Sequence, residues 1–187
     1  MDTTLRDGEQ TSGMSFSEYE KLTISKLLLK DLMVDRIEVA SARVSSGEFN
    51  AVKKILDWAK TENIENKVEI LTFIDDGISL DWMNKSGAKI QNLLSKGSLN
   101  HLKYQLKKTP QQHFNDVEKI IEIANKSKIE TNIYLEDWSN GMKNSKDYVF
   151  SFLNFLEKMP IKRVLLPDTL GVLNPEDAYN YLNEIIL

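Results

Sequence analysis

Short apolar runs alternate with longer segments of helical periodicity along the whole chain. Five runs are rich in β-branched and apolar residues and have the length of strands. They lie at 36–40, 68–73, 89–94, 131–135 and 163–166. A sixth run, Asp2–Leu5, precedes them at the N-terminus. The pattern therefore predicts six strands separated by helices.

Four of the intervening segments have clear helical signals. Ser17–Lys30 opens with a Ser and a Glu in capping-box spacing, followed by apolar residues along one side. These residues are Leu22, Ile24, Leu27 and Leu28. His113–Ser127 and Ser145–Lys158 also gather their apolar residues on one face. The last helix has Asn174 as its N-cap, Pro175 in its first turn, and is predicted to end at Leu187.

Strand–helix alternation of this kind predicts parallel strands joined by crossover helices. The two candidate architectures are a doubly wound open sheet and a (β/α)₈ barrel. No glycine-rich phosphate-binding motif follows the first strand, which argues against a nucleotide-binding open sheet. The prediction is an α/β fold, a TIM barrel truncated to about six βα units, with residues 1–187 forming one partial barrel domain.

Composition narrows the class of protein. The 187 residues include 24 Lys and Arg against 28 Asp and Glu, a net charge of −4 that argues against a nucleic-acid surface. No run approaches the roughly 18 apolar residues of a membrane span, and the N-terminus is too charged for a signal peptide. The absence of cysteine excludes disulfides and thiolate metal sites. We expect a cytoplasmic protein without a nucleic-acid or membrane partner.

Carboxylates recur within or just after the predicted strands, at Asp7, Glu38, Glu136, Asp137 and Asp168. In a barrel such positions converge at the C-terminal mouth. Any one of them alone is as well explained by a helix cap or a turn. The carboxylate at position 38 lies inside an apolar run, so it needs a cationic partner, such as an arginine at position 6 or 43, or a metal.

The segment Asp2–Gln10 resembles the first-strand motif of 2-isopropylmalate synthase, homocitrate synthase and citramalate synthase. These acyl-CoA-condensing metal-dependent barrels share a superfamily with the HMG-CoA lyases. The resemblance continues in order through four further segments. They are Arg36–Ser41, Ser98–His101, Leu135–Asp137 and Leu166–Gly171.

This resemblance implies a Claisen condensation of acetyl-CoA with a 2-oxo acid, in leucine or related amino-acid biosynthesis. It also implies a divalent cation (Mg²⁺, Mn²⁺ or Zn²⁺) and a homodimer. Asp7 matches the metal-binding aspartate and Arg6 the arginine that contacts the keto oxygen. Glu136 matches an active-site carboxylate, and His101 a histidine that lies near the substrates. Thr169 matches the threonine that binds the oxo-acid carboxylate.

We therefore assign catalysis to Arg6, Glu136 and His101, and metal binding to Asp7. Substrate binding is assigned to Arg6, Glu38, His101 and Thr169, and all of these residues are expected to meet at one barrel mouth. The second histidine, His113, is interpreted as a surface residue, and Trp138 as either a substrate-lining or a packing aromatic.

The chain also departs from the pattern. The family's other metal ligands are a His-x-His pair on the seventh strand, and no His-x-His occurs here. We expect the chain to be the N-terminal part of a longer enzyme, without turnover by itself and with two open sheet edges. Gln10 and Thr11 follow the synthase form of the first loop, which favours condensation. The alternatives are a carbon–carbon lyase and a non-catalytic fragment that binds a partner through the open edges.

Overall fold

The computed structural model describes residues 1–186; Leu187, the predicted end of the last helix, lies outside them. Five strands form one parallel sheet in the order β1-β2-β3-β4-β5. The strands are β1 (Ile37–Ser41), β2 (Val68–Thr72), β3 (Ile90–Lys96), β4 (Glu130–Glu136) and β5 (Arg163–Leu165). Sheet neighbours are also sequence neighbours, as in a barrel, which confirms the predicted α/β fold.

Helices precede, connect and follow the strands. They are α1 (Glu18–Lys26), α2 (Ser46–Thr61), α3 (Ile78–Ser86), α4 (Leu99–His101), α5 (Pro110–Lys126), α6 (Trp138–Asn144), α7 (Lys146–Leu156) and α8 (Pro175–Ile186). The amide of Asp177 donates to Asn174 Oδ1 at 2.8 Å, which confirms the N-cap predicted for α8. No helix among residues 1–186 is long and apolar enough to cross a bilayer.

The chain divides into two compact units, each with its own apolar core. The first comprises Met1–Asn92 with Ile123–Glu130, and the second Leu93–Glu122 with the chain from Thr131 onward. In the first unit, β1 and β2 are buried along their whole lengths. In the second, the Phe114 ring stacks on Phe152 and Phe155 with centroids 4.9 and 5.0 Å apart.

The predicted first strand is reduced to a single bridge. Asp2 pairs in parallel with Ile37, but the chain turns immediately afterwards. The carbonyl of Thr3 accepts hydrogen bonds from the amides of Arg6, Asp7 and Gly8 at 3.0, 2.7 and 3.3 Å. Because these bonds close a turn, the backbone groups cannot extend a ladder. The prediction of a strand through Leu5 is therefore wrong.

The first helix also differs from its predicted packing. The capping box of Ser17 and Glu20 is present, but the buried positions are Lys21 and Ser25, whereas Leu27 is half exposed. A π-helical turn at Leu27–Asp31 continues the helix and shifts the periodicity. Placing Leu27 on the buried side was therefore wrong.

His113 is buried, which corrects its interpretation as a surface residue. Its Nε2 accepts a hydrogen bond from the amide of Lys96 at 3.3 Å, and its ring lies 5.3 Å from that of Phe152. Burial lowers the pKa of His113 to about 4; the charges of Lys108 and Lys96 act in the same direction, and Asp116 opposes them. The native protein therefore holds this imidazole neutral.

This buried imidazole predicts an acid-dependent loss of stability. The unfolded chain binds the proton near the ordinary value of 6.5, whereas native His113 binds it only near 4. Its contribution to stability is therefore full above pH 6.5 and decreases as the pH falls towards 4, by about 3 kcal/mol in total. Urea denaturation across this range should show a flatter pH dependence for His113→Gln than for wild type. Parallel plots of unfolding free energy against pH for wild type and His113→Gln would contradict this account.

Candidate functional site

In the first unit, Arg6 is held by two carboxylates at the end of the N-terminal turn. Its Nε donates to Glu38 Oε2, and its Nη1 donates to Asp7 Oδ1 at 2.9 Å. The side chain of Glu38 is fully buried, and its other oxygen accepts from Asn92 Nδ2 at 2.7 Å. Arg43 pairs with Asp75 at 3.2 Å. Of the partners expected for Glu38, the structure therefore selects Arg6.

Burial raises the pKa of Glu38, and the nearby Glu69 carboxylate adds to this effect. Arg6 and the Asn92 amide favour the charged form and partly offset the burial. Both oxygens of Glu38 are engaged, and neither reaches solvent. The Glu38 carboxylate is therefore placed to fix the Arg6 guanidinium in one orientation.

Lys21 ties the N-terminal turn to β1 and α2. Its side chain is 1% exposed, and Nζ lies 2.7 Å from Glu9 Oε2 and 2.6 Å from Glu48 Oε1. It also donates to the carbonyls of Leu5 and Val39 at 3.1 and 3.3 Å. Because Leu5 precedes Arg6 and Val39 follows Glu38, this buried ammonium fixes the backbone beside both members of the ion pair.

A pocket of about 320 Å³ opens beside Arg6. Its lining includes the carboxylates of Glu9 and Glu48 and the side chains of Ser41 and Ser45. Lys21 pairs with both carboxylates, and a guanidinium with neighbouring hydroxyls can bind the carboxylate or keto oxygen of a small acid. The pocket is thus a candidate site for an anionic small molecule.

The described residues do not by themselves make up a metal site. Asp7 is 63% exposed and can offer a hard oxygen ligand, but one of its oxygens already accepts from Arg6. Among residues 1–186 no group of three or more His, Asp or Glu side chains is arranged to hold a metal ion. A cation at Asp7 would need its remaining ligands from substrate, water or other residues.

In the second unit, the predicted site residues lie at or after the carboxyl ends of three strands: His101 at the end of the short helix that follows β3, Glu136 at the end of β4, and Thr169 after β5. Glu136 forms an ion pair with Lys96. His101 Nε2 lies 3.5 Å from Asp137 Oδ2, and Thr169 Oγ1 accepts a hydrogen bond from the Asp137 amide at 2.8 Å. The structure thus brings Thr169 and His101 to a common partner that adjoins Glu136.

A second pocket, of about 400 Å³, lies over these loops. Its lining includes His101, Lys103, Asp137 and Asn140.

Trp138 is 2% exposed and packs edge-to-face on Tyr181, with ring centroids 6.3 Å apart. Of the two roles considered for Trp138, the structure therefore supports packing.

The predicted residues thus form two groups. Arg6, Asp7 and Glu38 lie together in the first unit, and His101, Glu136 and Thr169 lie in the second. That the two groups meet at one barrel mouth stays a prediction.

Three contributing residues were missed by sequence reasoning, Lys21, Asn92 and Lys96, and a fourth, Asp137, was given no role. For Asp137 a signal existed, since it follows a strand and was noted with the other carboxylates. The two lysines and the asparagine lie in ordinary helix and strand sequence, and only three-dimensional proximity identifies their partners.

Comparisons with known proteins identify the family and the fold of the chain. The family model described as HMGL-like matches residues 1–186. The chain is 32% identical over 184 residues to (R)-citramalate synthase CimA of Methanocaldococcus jannaschii, covering 98% of this chain and 36% of that protein. It is 29% identical over 186 residues to 2-isopropylmalate synthase of Saccharolobus solfataricus, covering 99% of this chain and 46% of that protein. The chain therefore spans less than half the length of these relatives.

A hydroxymethylglutaryl-CoA lyase from Pseudomonas aeruginosa has a similar solved structure, with a TM-score of 0.69. The match covers 99% of this chain and 62% of the lyase chain at 15% sequence identity. At that identity the likeness shows the fold alone.

Proposed function

Because the chain belongs to the HMGL-like family, we propose that it carries the acceptor-binding part of an enzyme that condenses acetyl-CoA with a 2-oxo acid. The products are a 2-hydroxy dicarboxylic acid and free CoA. The observation that carries the proposal is Arg6, which is fixed by Glu38 and Asp7 at the edge of a pocket. Similarity to citramalate and 2-isopropylmalate synthases favours the same chemistry.

The reaction removes a proton from the acetyl methyl group, and the resulting carbanion attacks the keto carbon of the acid. The keto oxygen becomes an alkoxide, which takes up a proton, and water hydrolyses the thioester to release CoA. In this proposal Arg6 stabilises the developing alkoxide, because its preorganised N–H groups face an oxygen that gains negative charge. Glu38, although fully buried, contributes to substrate binding by holding Arg6 in place.

We assign proton transfer to Glu136 and His101, the two residues predicted to be catalytic besides Arg6. Thr169 accepts from the Asp137 amide, so its own hydroxyl proton remains to donate to the acid's carboxylate. A bound divalent cation (Mg²⁺, Mn²⁺ or Zn²⁺) would act as a Lewis acid on the keto group. Asp7 is its one candidate ligand among the described residues, and we assign no step to the metal.

Calorimetric titration of the purified chain tests acceptor binding. Pyruvate and 2-oxoisovalerate should each bind more tightly than 3-hydroxy-3-methylglutarate in the presence of Mg²⁺. Arg6→Lys should weaken 2-oxo acid binding by about tenfold or more, because a lysine cannot present the planar fork of an arginine. Arg36→Lys is the matched control, since Arg36 also pairs with a buried carboxylate, that of Glu69, at 3.0 Å.

Two results would contradict the proposal. Equal binding by the Arg6→Lys and Arg36→Lys variants would show that Arg6 does not contact the acid. Tighter binding of 3-hydroxy-3-methylglutarate than of either 2-oxo acid would favour a carbon–carbon lyase.

A further inference from the structure

The aspartate after β4 connects two loops that carry predicted site residues. The side chain of Asp137 is 2% exposed, and its Oδ2 accepts from Ser98 Oγ at 2.6 Å. The same oxygen lies 3.5 Å from His101 Nε2. Ser98 Oγ in turn accepts from the His101 amide at 3.2 Å. Asp137 thus contacts the ring of His101 directly and the backbone of His101 through Ser98.

The backbone of Asp137 also takes part in these contacts. Its φ of 64° lies in the left-handed region, which aspartate adopts more readily than most residues other than glycine. In this conformation its N–H donates to Thr169 Oγ1 at 2.8 Å. Asp137 precedes α6, and its Oδ1 accepts from Asn140 Nδ2 of that helix at 2.8 Å, but its side chain caps no backbone amide there. Capping of the helix backbone therefore does not account for the contacts of Oδ2 with Ser98 and His101.

The contact with Asp137 also determines the state of the His101 ring. A carboxylate beside Nε2 favours a proton on that nitrogen, which leaves Nδ1 as the basic atom. Nδ1 is buried and has no hydrogen-bond partner among the described residues, and His101 is one of the residues that line the 400 Å³ pocket. In this state Nδ1 is the ring atom that can accept a hydrogen bond.

We propose that Asp137 is a positioning residue that fixes the orientation and tautomer of His101 and aligns the hydroxyl of Thr169. The role of this arrangement in catalysis rests on the proposed condensation. The predicted tautomer of His101 does not depend on it. Asp137 thereby links the residue assigned to proton transfer with the residue assigned to the acid's carboxylate.

Nitrogen-15 NMR of the histidine rings at neutral pH tests the proposal without substrate. The chain has only two histidines, so His113→Gln assigns both signals. The fraction of His101 rings that carry the proton on Nε2 rather than on Nδ1 should exceed that of a free imidazole. In Asp137→Asn the amide keeps the shape and tolerates the left-handed backbone, but it can present an N–H to Nε2. The tautomer ratio should then move towards the Nδ1-protonated form by about tenfold, as expected when one charge-assisted contact is lost.

Asp147→Asn, at an exposed position in the first turn of α7, is the matched control and should leave the spectrum unchanged. The buried His113 signal reports whether the second unit remains folded. If Asp137→Asn unfolds that unit, Asp137→Gly replaces it, because glycine adopts the left-handed backbone without strain. The glycine variant should give the tautomer mixture of a free imidazole. An Nδ1-protonated His101 in wild type, or an unchanged ratio in the folded variant, would overturn the proposal whether or not the protein binds a 2-oxo acid.

Discussion

Replacing Lys21 with methionine should lower the free energy of unfolding by about 3–5 kcal/mol. Methionine fills a similar volume but removes the charge that faces Glu9 and Glu48, each less than 3 Å from Nζ. Burial raises the pKa of Glu48, and Lys21 opposes this rise. Without the ammonium, two adjacent carboxylates would remain in a partly buried site, and the carbonyls of Leu5 and Val39 would lose a donor. Urea denaturation measures the loss.

Lys54→Met is the matched control. Lys54 is half exposed and pairs with Glu18 at the surface, so its loss should cost no more than about 1 kcal/mol. Adding Glu48→Gln to Lys21→Met should restore part of the lost stability, because it removes one unpaired carboxylate. Equal losses of unfolding free energy in Lys21→Met and Lys54→Met would show that burial does not determine how much Lys21 stabilises the protein.

Gly141→Ala should destabilise the protein by about 3 kcal/mol or more. A Cβ at this position would lie 2.0 Å from the carbonyl oxygen of Gly97 and 2.9 Å from Val149 Cγ2. The obstructing atom belongs to the backbone that leads into Ser98 and His101, so relief of the clash would displace the predicted site loop. Chemical denaturation reports the stability loss, and the His101 ring signals report the displacement.

Gly47→Ala should have the opposite effect on stability. Gly47 lies in α2, and its Cβ would meet nothing closer than Ser45 Oγ at 3.6 Å. Alanine should therefore stabilise the helix by about 0.5–1 kcal/mol. Similar effects of the two substitutions would contradict the close approach between Gly141 and Gly97.

Hydrophobic periodicity correctly predicted the helices whose apolar residues mark the buried face. The helices predicted at 113–127 and 145–158 agree with α5 and α7 to within three residues at each end. The cap before α8 was also predictable, because Asn174 and Pro175 act locally. His113 could have been placed correctly from the same pattern, since it lies four residues before the buried Val117 on one face of α5.

The remaining features depend on contacts between residues distant in sequence. Nothing local indicates that Lys21 is buried, because its stabilising carboxylates come from the N-terminal turn and from α2. Likewise, the apolar run around Glu38 predicted a cationic partner but left Arg6 and Arg43 equally possible. Only the fold places the Arg6 guanidinium against Glu38.

The Arg6 Nε–H resonance gives the most direct test of the central claim that this guanidinium receives a 2-oxo acid. Its hydrogen bond to the buried Glu38 should make the signal distinct from those of exposed arginines. Titration with pyruvate should shift this signal in a saturable manner, whereas propionate, which has the same carboxylate but no keto oxygen, should have a much smaller effect. Equal shifts with both acids, or an unmoved Arg6 signal when pyruvate binds elsewhere, would contradict the account.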